Sequence, residues 1–343
     1  MNPSIRPLDS DLKTIRPRKE AHVPKIVLMP PQTDRSRKYH RTLSDRLPDY
    51  DIVLAETDED ALREIVDADA AYGVVPPEAL AVAKQLRWIQ SAQAGPSAGY
   101  YYPELIAHQA VVTNPRGVFN DHIAQHILMY VLALARGLPA YIDAQRAGQW
   151  DTDARTTPYL ELSEAVALIV GVGGIGHETA RLLNAFGTRV LGIDARWEQD
   201  TPDVERHEPS ELDVVLPMAD FVIVATPHTP ETEGMWNSAR FALMKPTACF
   251  INIGRGATTR LQDLDQALDA GQIAGCALDV YETEPLPEGH PLWAKPNAIL
   301  TPHIAVKDAE SVEHRRFDLF VNNANRFAAG EELRNIVDKA NWF

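Results

Sequence analysis

A chain of 343 residues is longer than a single hydrophobic core usually organises, so two domains are expected. Its 45% hydrophobic and 24% charged residues are those of an ordinary soluble globular protein, and a formal net charge of −15 argues against a nucleic-acid partner, because a phosphate backbone must be met by clustered Lys and Arg. No apolar run reaches the length of a membrane span, and the two cysteines, Cys249 and Cys276, lie in apolar runs without CxxC spacing, which reads as buried free thiols in a reducing cytoplasm.

Residues 1–22 mix charges and prolines without the apolar stretch of a signal peptide, and read as an extension, floppy or clasping a neighbouring subunit. Beyond them, short apolar runs alternate with helix-period stretches. KIVLM (25–29), DIVLA (51–55), AAYGVV (70–75), LRWIQ (86–90) and AVVTN (110–114) are expected as buried strands, with helical stretches such as DEDALREIV (58–66) between them. A long amphipathic helix follows over 120–136, with Ile123, Ile127, Tyr130 and Leu134 on one face. The rhythm restarts with AVALIV (165–170), RVLGI (189–193), DFVIVA (220–225), CFINI (249–253), GCALDV (275–280) and AILTP (298–302). A second long helix is expected over 308–330. The fold class is therefore α/β, with two doubly wound parallel-sheet domains, and the C-terminal end is expected to pack back on the first of them.

Between the first two strands of the second series lies GVGGIG. A lone G-x-G-x-x-G is weak evidence, but here a strand precedes it and a helix follows, with Ile175, Ala180, Leu183 and Phe186 on one face. Gly171 permits a tight turn, Gly173 lets backbone approach a pyrophosphate, and Gly176 lets helix lie close on strand. The anion would sit on the free N–H groups of Gly174 and Ile175 at the helix start. Asp194 ends the next strand, where a carboxylate suits a free ribose 2'-hydroxyl and repels a 2'-phosphate. NAD is expected over NADP, although Arg196, two residues on, carries the charge a phosphate would need.

A dinucleotide turn performs no chemistry by itself, so the reacting groups must come from elsewhere. In open parallel sheets ligands gather outside the carboxyl ends of the strands, where ATPHTPET (225–232), INIGRGA (251–257), ALDVYETEPLP (277–287) and LTPHIA (300–305) fall. Arg255, Glu284 and His303 stand out there. Reduction of a 2-oxo acid needs a cation for carboxylate and carbonyl, a proton donor for the nascent alkoxide and a carboxylate partner for that donor, and these three residues supply them. His122 and His126 are four apart on a helix, but HIAQH lacks the Glu of a zinc HExxH site, so no metal is expected. His228 reads as lining the cofactor cleft.

In this order and spacing, GVGGIG, INIGRGA, LDVYETEPLP, HPLW and TPHIA resemble the D-2-hydroxyacid dehydrogenase family over roughly residues 25–330. The resemblance implies a Rossmann NAD-binding domain (120–306) inserted into a flavodoxin-like catalytic domain (23–119 and 307–343), and a homodimer formed largely through the inserted domain. It implies Arg255, Glu284 and His303 as the catalytic residues, with Arg255 and His303 also touching substrate. Thr226, Pro227, Ile253, His303 and Ala305 would flank the cofactor, and Asp279 would face the nicotinamide carboxamide. Ala94 and Gly95 in SAQAGPSAG (91–99) would hold the substrate carboxylate through backbone N–H groups.

Departures narrow the expectation to NAD-dependent interconversion of a small 2-oxo acid and a D-2-hydroxy acid. Formate dehydrogenases carry Gln where Glu284 stands. Pro96 stiffens the 91–99 loop and removes a donor, and Tyr100 to Tyr102 either line the substrate mouth or pack between domains. HIAVKD lacks a glycine often found after the family's HxA. The alternatives are an NADPH-dependent glyoxylate/hydroxypyruvate reductase and an NAD-sensing, corepressor-like binding protein, for which long disordered flanks are wanting.

Overall fold

The computed structural model describes residues 22–95, 99–197 and 201–341. Residues 1–21 of the expected 1–22 extension and the loop residue Pro96 lie outside them. Contacts divide the chain into two compact units, Arg116–Val312 and the remainder on either side of it in sequence.

The smaller unit runs β1 (Lys25–Leu28), α1 (Asp34–Arg46), β2 (Asp51–Leu54), α2 (Asp58–Glu64), β3 (Ala70–Tyr72), α3 (Pro77–Val82), β4 (Trp88–Gln90), α4 (Pro103–Ala107) and β5 (Val111–Thr113). The five strands are parallel in the order β2-β1-β3-β4-β5, the flavodoxin-like arrangement. Helix α1 starts at Thr33, whose hydroxyl accepts from Ser36 N at 3.1 Å while the Ser36 hydroxyl accepts from Thr33 N at 2.8 Å. Its Tyr39 and Leu43 cover one sheet face together with Phe320, Ala324 and Phe327 of the last helix, and the rings of Tyr72 and Phe320 stack at 5.0 Å. Tyr100 to Tyr102 pack within this unit: Tyr101 is buried, and the hydroxyls of Tyr100 and Tyr102 donate to Gly73 O and Val75 O. The described chain enters at His22, whose Nε2 lies 2.6 Å from the buried carboxylate of Asp69.

The larger unit opens with α5 (Asn120–Arg136) and α6 (Leu138–Arg146), followed by β6 (Val166–Val170), α7 (Gly174–Asn184), β7 (Arg189–Ile193), β8 (Glu205–His207), α8 (Leu212–Val215), β9 (Phe221–Val224), α9 (Ser238–Phe241), β10 (Cys249–Asn252), α10 (Leu261–Asp269), β11 (Gly275–Leu278) and β12 (Ala298–Leu300). Helix α11 (Glu310–Ala329) begins here and continues into the smaller unit. The seven strands are parallel in the order β12-β11-β10-β9-β6-β7-β8, which is the Rossmann pattern with an extra edge strand. Register is direct across the active edge: Asn252 pairs with Leu278, and Leu278 with Leu300. Helices α5 and α7 cover one face through Ile127, Tyr130, Leu134, Ala180 and Leu183, each large buried side chain stabilising by roughly 1.5–3 kcal/mol. Leu212, Phe241 and Leu264 cover the other.

Two local expectations change. Phe186 lies past the end of α7 at Asn184 and is 43% exposed, so it does not join the apolar face. Strand β8 has no counterpart in the sequence reading, because Glu-Arg-His at a sheet edge carries none of the apolar patterning on which that reading rests. Both cysteines are buried and free, and burial pushes the Cys249 thiol up to about 12. Among the described residues, no single helix is long and apolar enough to cross a membrane.

Candidate active site

The glycine turn between β6 and α7 is forced by the protein at two positions and left open at a third. Gly171 has φ 98°, and a Cβ there would meet Thr226 N at 2.8 Å; a Cβ on Gly176 would lie 2.2 Å from Gly171 O. A Cβ on Gly173 would meet nothing within 4 Å, so its bareness serves approach from outside. Helix α7 has no side-chain cap at Gly173, and the amides of Gly174 and Ile175 stand in its first turn. The buried Thr226 hydroxyl beside the turn has no hydrogen-bond partner among the described residues. Uncapped amides, clear space and an orphaned hydroxyl together fit a dinucleotide's phosphates.

Asp194 closes this cradle. One carboxylate oxygen accepts from Val172 N in the turn at 2.7 Å and the other from Arg196 N at 2.8 Å, so the residue ties the end of β7 to the glycine loop. Close by, Trp197 packs over Gly192 and under the guanidinium of Arg206, 4.9 Å from the ring centroid. Pro227 follows the turn's neighbour Thr226, and Ile253 is buried at the end of β10.

At the carboxyl end of β10, the fully buried Asn252 winds the next loop around one amide. Its Nδ2 donates to Arg255 O and to the hydroxyls of Thr258 and Thr259 at 2.9–3.2 Å, while its Oδ1 accepts from Gly254 N at 2.9 Å. Arg255 is thereby presented from a fixed backbone, with Nη1 donating to Gly254 O at 2.6 Å. Burial lowers the affinity of its guanidinium for the proton, an effect that the nearby Glu284 opposes.

The ends of β11 and β12 bring Glu284 and His303 together. His303 Nδ1 lies 2.8 Å from Glu284 Oε2, and Glu284 Oε1 accepts from Tyr281 N at 3.0 Å. With Nδ1 facing a carboxylate, Nε2 is the ring nitrogen left for a substrate. The pair remains accessible, with side chains 52% and 37% exposed. His303 sits at φ 52°, an uncommon conformation for a residue with a Cβ.

Asp279 is 1% exposed and accepts from the Thr301 hydroxyl at 2.5 Å, Ile304 N at 2.9 Å and Ala305 N at 3.0 Å, so its carboxylate holds the segment around His303. Of the other histidines, His122 Nδ1 is 3.1 Å from Asp121, His126 Nε2 is 2.8 Å from the Tyr130 hydroxyl, and His228 Nε2 is 3.7 Å from Glu233. In the smaller unit, Ala94 O accepts from Asn114 Nδ2 at 2.8 Å, with Gly95 following it. Asn252 and Thr301 lie inside INIGRGA and LTPHIA, and their supporting hydrogen bonds become visible only once the loops are folded.

The model of the D-isomer specific 2-hydroxyacid dehydrogenase NAD-binding domain matches residues 128–305. A glyoxylate reductase of Thermofilum pendens is 34% identical over 294 residues, covering 82% of this chain and 84% of its own length. Among solved structures, a D-isomer specific 2-hydroxyacid dehydrogenase from Xanthobacter autotrophicus, in complex with NADPH and MES, superposes with a TM-score of 0.81 at 28% identity, covering 94% of this chain and all of that one. An NADPH-dependent glyoxylate/hydroxypyruvate reductase from Sinorhizobium meliloti, in complex with NADP and sulfate, gives 0.79 at 25% identity over 93% of this chain and all of its own.

Proposed function

Starting from a chain that belongs to the D-isomer specific 2-hydroxyacid dehydrogenase family, we propose that it reduces a small 2-oxo acid to the D-2-hydroxy acid with NADH, and catalyses the reverse. The observation that carries this reading is the 2.8 Å contact of His303 Nδ1 with Glu284, in a site whose neighbouring strand end presents Arg255. The nicotinamide, when bound, supplies the hydride that adds to substrate C2. His303 gives the Nε2 proton to the oxygen that becomes the hydroxyl, and Glu284 holds the imidazolium that must form beforehand. Arg255 pairs its planar guanidinium with the carboxylate and the carbonyl oxygen. Ala94 and Gly95 are the candidate carboxylate anchors of the smaller unit, which we take as the substrate domain.

The cofactor's phosphates belong to the glycine cradle of Gly171, Gly173, Gly174, Ile175 and Gly176, with Thr226, Pro227, Ile253 and Ala305 flanking it. Asp194 favours a ribose with a free 2'-hydroxyl, since its negative charge meets a 2'-phosphate unfavourably. A second reading, an NADPH-dependent glyoxylate/hydroxypyruvate reductase, draws support from the relatives bound to NADPH or NADP, from Arg196 two residues beyond Asp194 and from Arg206 over the Trp197 ring. We also propose a cytoplasmic homodimer, for which the exposed Met129, Leu132, Leu138 and Ile142 on α5 and α6 offer apolar surface.

The test is oxidation of NADH and of NADPH against 2-oxo acids of graded size, glyoxylate and hydroxypyruvate among them. The proposal expects turnover with NADH, and an NADH preference that narrows by about tenfold in Asp194→Ala. Turnover confined to NADPH would favour the second reading, and no turnover with any oxo acid would defeat both.

A further inference from the structure

Helix α5 supplies two polar side chains to the ends of β11 and β12 that the reaction described above does not use. His126 and Tyr130 stand one turn apart on the same helix face. The Tyr130 ring is fully buried among aliphatic side chains, where a Phe would fit as well, yet its hydroxyl meets a set of polar partners. It makes a short hydrogen bond with the Thr301 hydroxyl, lies 3.3 Å from Leu278 O and is 2.8 Å from His126 Nε2. Thr301 Oγ1 lies 2.5 Å from Asp279 Oδ1 and 3.2 Å from His126 Nε2.

The protons in this cluster can be ordered. Asp279 receives two backbone N–H groups and a hydroxyl, so it is the acceptor at the end of the chain, and the single proton of Thr301 goes to it. The Thr301 oxygen must then accept, and of the two groups within reach, the Tyr130 hydroxyl and His126 Nε2, Tyr130 makes the shorter contact. The Tyr130 oxygen in turn accepts from His126 Nε2–H. Burial keeps the Tyr130 phenol protonated, and the closer of its two acceptors is Thr301, with Leu278 O farther at 3.3 Å. The order is His126 to Tyr130 to Thr301 to Asp279, and it ends on the carboxylate whose other two donors, Ile304 N and Ala305 N, directly follow His303.

His303 needs such support. Its φ of 52° is a strained conformation for a residue other than glycine and persists only where the surroundings over-determine it. We propose that Tyr130 and Thr301 are positioning residues: their paired hydroxyls fix the Asp279 carboxylate, which pins the 304–305 amides and so keeps His303 in the left-handed turn with Nδ1 on Glu284. The inference rests on the reading of His303 as the acid for its kinetic consequence, but the geometry it asserts is independent of that reading.

The test compares three variants of the full-length protein: Tyr130→Phe and Thr301→Val, which delete one hydroxyl each at nearly constant shape, and Thr301→Ser, which keeps it. Folding is checked by thermal unfolding. The expected result is a fall in kcat of roughly ten- to a hundredfold in Tyr130→Phe and Thr301→Val, with the KM for NADH within about twofold of wild type, and near-wild-type kcat in Thr301→Ser. In crystals grown without cofactor, Thr301→Val is expected to lose the His303–Glu284 contact and the positive φ, and Thr301→Ser to keep both. If Tyr130→Phe does not fold, the Thr301 pair carries the test alone. Wild-type kcat in folded Tyr130→Phe and Thr301→Val, beside an inactive His303→Ala, would overturn the positioning role and leave the acid in place. An active His303→Ala would instead overturn the acid, and the crystal comparison would then decide the positioning role. Equal losses in Thr301→Val and Thr301→Ser, or an unmoved His303 in Thr301→Val, would also overturn the inference.

Discussion

At the ends of β10, β11 and β12 the larger sheet delivers Arg255, Glu284 and His303, whose carboxylate–imidazole pair stays partly exposed. At the ends of β4 and β5 the smaller sheet delivers Gln90 and Thr113, which are at most 3% exposed. There the Trp88 indole donates to Thr113 Oγ1 at 2.8 Å, Thr113 donates to Gln90 Oε1 at 2.9 Å, and Asn323 Nδ2 adds a 3.4 Å contact from α11. Both sheets end their strands in polar residues, so position alone does not separate chemistry from architecture. The difference is whether hydrogen-bonding capacity is left over. In the smaller sheet the donors of this cluster are matched by one another, whereas in the larger one Asn252, Asp279 and the half-buried Thr301 are matched so that the layer above them can remain available.

Substitutions can break that contrast. The largest effect is expected from His303→Ala, which should lower kcat by about 10²–10⁴-fold in a steady-state assay with a 2-oxo acid, while circular dichroism stays that of the wild type. Arg255→Ala should follow, lowering kcat/KM for the oxo acid by roughly 10²–10³-fold and leaving the Kd for NADH, measured by fluorescence titration, nearly unchanged. A variant that lost cofactor binding and substrate binding equally would place Arg255 in the cofactor site instead.

For the smaller sheet the expectation inverts. Thr113→Val strands the Trp88 indole and should cost about 1–3 kcal/mol in urea unfolding, with kcat unaltered. The smallest effect concerns Asp69, where burial disfavours the charge but Lys25 N, His22 and Arg87 outweigh it and hold the carboxyl below its usual range. A carboxyl lowered in the folded state stabilises above its unfolded value of about 3.9 and loses that contribution as pH falls through the lower folded value. Asp69→Asn should therefore weaken the protein at neutral pH and flatten the loss of Tm below about pH 4. An acid limb of unchanged steepness would show that other carboxylates dominate it.

Much of this contrast was legible in the sequence because it rests on local patterning. Strand runs such as RVLGI and CFINI and the helix over 120–136 declare themselves through apolar period, and GVGGIG through its place between strand and helix. Arg255, Glu284 and His303 were legible because each ends a strand in a polar signature. Illegible were partnerships made across long stretches of chain. Nothing in the sequence pairs Tyr130 with Thr301, 171 positions later, since both look like ordinary members of their segments. The hold of Asp279 on the 304–305 amides was illegible for a similar reason, since only the folded loop brings those groups to its carboxylate. Polar edge strand β8 was missed because sheet pairing there is settled by its neighbour β7, not by its own residues.

The direct register across β10, β11 and β12 has a consequence for how this chain can vary. Because Asn252, Leu278 and Leu300 lie on one line, the residues immediately beyond them start from a common level. A single-residue insertion or deletion inside β12 would displace Thr301 and His303 by about 3.3 Å and turn alternate side chains to the opposite face. The lengths of these strands are thus a ruler for the chemistry. Tolerance to length changes should be confined to the amino-terminal ends of the strands and the helices that feed them, so the family can diverge there while the line at the carboxyl ends stays fixed.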